Sequence, residues 1–182
     1  MKKVLFFFIY ILFFLNQLFA DERKGELDKL FEELKIDNSN LSFEVEQKIW
    51  KIWSTHPQKK DLTKLLNKGS KFLKNNQLYE AKKIFTKVIE KDPEWPEAWN
   101  KRATVLYLLG EFKKSQQDID KVLELEERHF GALAGQGLVN IQLKNYEKAL
   151  NSYIKVQEIY PSMKSPKIMI KEIKMLIKKQ SI

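Results

Sequence analysis

The chain has 182 residues, 43% of them hydrophobic and 31% charged, the balance of an ordinary soluble domain. Its 33 basic and 24 acidic residues give a net charge of +9, yet only three of the basic residues are arginine (Arg23, Arg102, Arg128), so a nucleic-acid partner is not expected. The absence of cysteine excludes disulfides, lipoprotein attachment, thiol catalysis and thiolate metal sites.

Residues 1–20 read as a signal peptide. Lys2 and Lys3 precede an unbroken apolar run of 12 residues from Val4 to Leu15, too short to cross a bilayer comfortably. Ala20 offers a small residue for cleavage ahead of Asp21-Glu22-Arg23-Lys24. Leu18 stands where a small residue is preferred, so an uncleaved inner-membrane anchor is the alternative. The expectation is export, to the periplasm on the family resemblance given below, with membrane contact only if the leader is retained.

Residues 21–60 form an N-terminal helical hairpin. Leu27, Leu30, Phe31 and Leu34 recur at helical spacing over 22–36, and Asp37-Asn38-Ser39-Asn40 makes a turn. Val45, Ile49, Ile52 and Trp53 line a second helix over about 42–54, with Trp50 beside them and His56-Pro57 ending it. The two tryptophans read as core, and the hairpin as a cover for the exposed end of the segment that follows.

That segment, Leu62 to Pro161, repeats at a period of 34 without insertion. Gly69, Ala103 and Gly137 align, as do Leu78, Phe112 and Tyr146, then Ala81, Ser115 and Ala149, then Phe85, Ile119 and Tyr153, then Val88, Val122 and Val156. A fixed period of this size marks a solenoid whose units bury their apolar faces against one another. The spacing predicts three helix pairs, 61–75 with 78–91, 96–109 with 112–126, and 130–143 with 146–159, with Asp61 and Asn145 as N-caps. Residues 164–182 read as a capping helix with Ser165 as N-cap, an apolar stripe of Ile170, Ile173 and Ile177, and Lys167, Lys171, Lys174 and Lys178 on the opposite face.

The aligned residues resemble the tetratricopeptide repeat (TPR) family over about 100 positions: Gly69, Phe72, Ala81, Phe85 and Pro93; Trp99, Ala103, Gly110, Phe112 and Ile119; Gly137, Tyr146, Ala149, Tyr153 and Pro161. The resemblance implies an all-α, TPR-like helical-hairpin solenoid of three repeats (62–95, 96–129, 130–163), similar to small exported bacterial TPR proteins of unassigned role. Such proteins are non-catalytic scaffolds for a protein or peptide, here expected in cell-envelope assembly or maintenance. The alternative is a membrane-surface structural factor held by the leader or by the basic C-terminal helix. Some family members clamp a chaperone's C-terminal carboxylate. The matching places here are Leu66, Ser70, Lys101, Gly131 and Gln136, of which only Lys101 is basic, so that activity is not carried over.

No catalytic motif occurs, and His56 and His129 lie 73 residues apart, so no enzyme activity, metal or cofactor is expected. The candidate binding surface is the inner wall of the superhelix. The register places Ser70, Lys74, Asn100, Lys101, Thr104, Tyr107, Gly131, Gly135, Leu138 and Gln142 on it, with Arg128 and His129 at an exit. Gly131 and Gly135 each cost about 0.8–1.0 kcal/mol in a helix relative to alanine. Two readings account for them: a pocket for a partner's bulky group beside Tyr107, Arg128 and His129, or a hollow filled by the chain's own Trp50/Trp53 helix.

Overall fold

A computed structural model describes residues 22–36 and 39–180, so the leader and the Asp37-Asn38 part of the first turn lie outside the described residues. The described residues hold nine helices and no strand: α1 (22–34), α2 (Ser39–Ser54), α3 (Lys60–Lys74), α4 (Leu78–Lys91), α5 (Pro96–Leu108), α6 (Phe112–Leu125), α7 (Phe130–Gln142), α8 (Tyr146–Ile159) and α9 (Lys164–Gln180). Helices α3 to α8 are the three expected pairs, each within a residue or so of its predicted bounds.

The 34-residue period is a period of contacts. Each pair turns through a residue with positive φ: Asn76 at 58°, Gly110 at 74° and Lys144 at 60°. The next amide then reaches back five residues, Gln77 N–H to Phe72 O at 2.9 Å, Glu111 to Leu106 at 2.8 Å and Asn145 to Asn140 at 2.8 Å, which ties off a carbonyl at the end of the first helix. Within each pair a small residue receives a large one. A Cβ on Gly69 would lie 2.5 Å from the Phe85 ring, and one on Gly137 would run into Tyr153. Val88, Val122 and Val156 are fully buried behind them. A polar link repeats as well. Arg102 donates to Asp118 at 2.7 and 2.8 Å and to Thr86 at 3.3 Å; one repeat on, Gln136 accepts from Ser152 at 2.9 Å and donates to Asp120 at 3.5 Å. Each link spans a pair and touches the pair before it.

Two expected caps differ, and a third is in place without its side-chain bond. Lys59, not Asp61, is the N-cap of α3, and Asp61 sits in its first turn, where its charge suits the helix dipole. Asn145 is the N-cap of α8 but makes no side-chain cap bond. Ser165 lies inside α9, which begins at Lys164.

The N-terminal hairpin does not cover the end of the first repeat. The outer face of α3 shows exposed Lys64, Lys68 and Lys71 and offers nothing apolar to stack on. Helix α2 runs instead across the two inter-repeat junctions and the junction of the last repeat with α9. At its middle, the Tyr160 hydroxyl donates to Glu46 at 3.0 Å, and burial together with that carboxylate pushes the phenol up to about 12. Near its end, Trp95 Nε1 donates to the Trp53 carbonyl at 2.8 Å. Between them, α1 and α2 share one core with Phe130, Leu133, Val156 and Tyr160. Arg23 binds the α1–α2 pair together by donating to the carbonyls of Ile52 and Thr55 at 2.6 and 2.8 Å.

Candidate functional site

The inner wall is built from one face of α3, α5 and α7, and the hairpin covers it at the N-terminal ends of α5 and α7. Trp50 sits over the first turn of α7, where a Cβ on Gly131 would be 2.6 Å from its ring. Trp50 also carries Lys101 Nζ 5.6 Å from its ring centroid. Trp53 is buried and stacks on His129 at 3.9 Å with the planes 8° apart. The second reading of the glycines therefore describes Gly131: the chain fills that hollow itself.

Beneath the stack lies a buried charged cluster. His129 is the N-cap of α7, and its Nδ1 accepts from the Ala132 amide at 3.1 Å. That bond fixes the neutral tautomer, so Nε2–H donates to Glu97 Oε2 at 3.2 Å. Asn100 donates to the same oxygen at 2.8 Å, and Lys101 Nζ stands 2.9 Å from Oε1 as a close ion pair outside hydrogen-bond alignment. Burial raises the Glu97 carboxyl, but the His129 bond and the Lys101 charge outweigh it and hold the group below its ordinary value. His56 repeats the arrangement at the hairpin's exit. Its Nδ1 accepts from the Gln58 and Lys59 amides, and Nε2–H donates to Asp92 at 2.6 Å. Both histidines thus spend both ring nitrogens on structure, and among the described residues no group of three His, Asp or Glu could hold a metal ion.

The proposed site residues divide accordingly. Asn100, Lys101, His129 and Gly131 are engaged by the chain itself, and so is Arg128, which bonds Asp28 at 2.6 Å and Glu126 at 3.0 Å and lies 4.3 Å from the Phe31 ring centroid. Ser70, Lys74, Thr104, Tyr107, Gly135, Leu138 and Gln142 lie toward the C-terminal halves of the helices and remain on the free wall. Ser70 and Thr104 turn their hydroxyls to the carbonyls four residues back. Tyr107, Thr104, Gly135 and Leu138 border a mainly apolar cleft of about 70 Å³ between α5 and α7. A Cβ on Gly135 would meet only Ile119, at 3.6 Å. Sequence reasoning missed Leu108, which is 53% exposed on α5; its place one turn past Thr104 was the available signal. It also missed Glu97, whose burial beside His129 has no sequence signature.

The described units match known proteins. A family model described as tetratricopeptide repeat covers residues 96–129 and 131–163. Those two segments are tetratricopeptide repeats, and the described helices share the fold of solved TPR structures. A TPR repeat-containing protein of Rhizobium etli is 29% identical over 140 residues, covering 76% of this chain and 68% of the relative. RNA polymerase II-associated protein 3 of Homo sapiens is 28% identical over 76% of this chain, which spans only 21% of that relative's length. Hsp70-Hsp90 organizing protein 2 of Arabidopsis thaliana is 28% identical over 52% of it, with 17% of the relative covered. Among solved structures, the first TPR of Spaghetti (RPAP3) bound to an HSP90 peptide superposes with a TM-score of 0.63 at 24% identity, over 64% of this chain and 92% of that one. MamA superposes with a TM-score of 0.59 at 17% identity, over 74% and 75%.

Proposed function

We propose that this protein is a non-catalytic periplasmic scaffold that holds a protein or peptide partner on the free half of its inner wall, in cell-envelope assembly or maintenance. The observation that carries the reading is the wall itself: Leu138, 38% exposed, borders the α5–α7 cleft with Tyr107, and Leu108, 53% exposed, lies one turn past Thr104 on α5, while the other half is sealed by the hairpin. Exposed apolar side chains gathered at one concave place suit the anchors of an extended or helical segment. Peptide capture by the solved TPR of Spaghetti supports the class of ligand. Its particular ligand is not carried over, because Lys101 is committed to Glu97 and Gly131 lies under Trp50. The periplasmic location rests on the leader pattern and on the resemblance to exported bacterial TPR proteins.

A photo-crosslinking residue placed at Leu138, and in a parallel strain at exposed Tyr79 on the outer face, tests the proposal in intact cells. The reading expects a discrete adduct from position 138, lost on adding Tyr107→Glu, and none from position 79. Adducts from position 79 alone would move the partner to the outer face and defeat it.

A further inference from the structure

The lysine excess of this chain is not spread evenly over the repeats. Helices α3 and α4 carry nine lysines against three acids, Asp61, Glu80 and Glu90, whereas α5 and α6 carry five basic residues against four acids, and α7 and α8 two against two. A general lysine bias would load the three pairs alike. The cations of the first pair also stand at special places. Lys64, Lys68 and Lys71 occupy the register of Ala98, Arg102 and Val105 on α5 and of Ala132, Gln136 and Val139 on α7, where each helix meets the pair before it. The alanines and valines at these places are fully buried, so the first repeat puts exposed cations where the later ones put apolar contacts. Ile84 stands where Asp118 receives Arg102, which sets it and Lys87, one turn on, beside Lys68. Tyr79, Lys83, Ile84 and Lys87 line one shallow groove on α4, with Tyr79 74% exposed. Lys68, Lys71, Lys83, Lys87 and Lys91 have no ion-pair partner among the described residues. The acids keep to the margins: Asp61, in the first turn of α3, lies 3.6 Å from Lys64, and no carboxylate stands between it and Glu80 or between Glu80 and Glu90.

The charge selects the occupant. An end that only has to stay wet needs polarity, which mixed charges supply, and a single sign adds self-repulsion. Nucleic acid is read through arginine forks, and Lys60 to Lys91 contains no arginine. A helix of another protein needs an apolar stripe for its anchors, and Tyr79 is the one large hydrophobic residue exposed on α3 and α4. A bilayer needs neither fork nor stripe. Long lysine stems reach headgroup phosphates from any place on the face, and an exposed aromatic ring suits the headgroup level. We propose that α3 and α4, the lysine end of the stack, dock on the anionic headgroups of a lipid bilayer, with Tyr79 entering the interface. This surface is distinct from the free wall of α5 and α7, and its occupancy does not depend on a partner bound there.

The chain has no cysteine, so Glu80→Cys on α4 and, as a control, Asn151→Cys at an exposed place on α8 each give one attachment point for a spin label in the intact chain. The proposal expects phosphatidylglycerol vesicles to shield the label at 80, and not the one at 151, from a water-soluble relaxation agent. Pure phosphatidylcholine vesicles should shield neither. At low salt the phosphatidylglycerol-dependent part of the affinity should fall about fivefold for each of Lys68, Lys71, Lys83 and Lys87 changed to glutamine, with the melting temperature unchanged. Shielding at 80 on both lipids, or on neither, would overturn the proposal. So would loss of the phosphatidylglycerol dependence in Lys167→Gln, Lys171→Gln, Lys174→Gln with the first repeat intact, which would give the lipid contact to α9. Capture of polyglutamate or duplex DNA through the four lysines, without shielding by phosphatidylglycerol, would make the face a site for a soluble polyanion and likewise end it.

Discussion

Lys144 and Gly110 stand in the same turn of successive repeats with φ of 60° and 74°, and only one of them is glycine. A side chain in this conformation carries strain, so Lys144→Gly should stabilise by about 0.5–1 kcal/mol and Gly110→Ala should destabilise by about 1 kcal/mol. No atom lies within 4 Å of a Cβ at Gly110, so the second change isolates the backbone term. Thermal or urea melts of the two variants check both signs. Glu97 makes a pH prediction. Its folded carboxyl lies below its ordinary value, so it contributes stability above the unfolded pKa, and that contribution disappears as pH falls through the depressed folded value. Urea midpoints should fall on acidification from neutrality, and Glu97→Gln should flatten the fall while lowering stability at pH 7. An unchanged slope in Glu97→Gln would show that other carboxylates, Asp92 among them, dominate acid sensitivity.

At the scale of elements, the two extra glycines of α7 separate cleanly. Gly135→Ala gains helix propensity of about 0.8–1.0 kcal/mol with an ordinary contact to Ile119, and should raise the melting temperature. Gly131→Ala gains the same propensity but drives a Cβ to 2.6 Å from the Trp50 ring, and should lose about 1 kcal/mol or more net. Opposite signs at neighbouring glycines in one helix would be hard to obtain from propensity alone. The helix pairs themselves were legible because the main packing positions recur in three copies. Gly69 with Phe85 and Gly137 with Tyr153 identify a close approach that a single copy would leave ambiguous. The docking of α1 and α2 was not legible. It occurs once, and its anchors, Asp28 to Arg128 and Glu46 to Tyr160, lie 100 and 114 residues apart in sequence. Arg128 and His129 looked free for a partner because nothing near them in the sequence announces the residues that engage them.

For the whole molecule, the consequence is a solenoid whose inner wall is partly covered by its own N-terminal hairpin. Trp50 lies over Gly131 and Trp53 stacks on His129, and the wall they leave uncovered carries Tyr107 and Leu138. Removing the anchor should therefore weaken the whole stack: Trp53→Ala should cost about 3–5 kcal/mol, whereas Trp53→Phe, which keeps a ring on His129 and deletes an unpaired buried indole N–H, should cost far less. The most direct test is the proton spectrum of Gly131 in the intact chain. If Trp50 lies over α7, the Gly131 α-protons show nuclear Overhauser contacts to the Trp50 indole and a ring-current shift that vanishes in Trp50→Ala. Ordinary helical shifts for Gly131 with no contact to Trp50 would mean that the hairpin sits elsewhere and the whole inner wall is open.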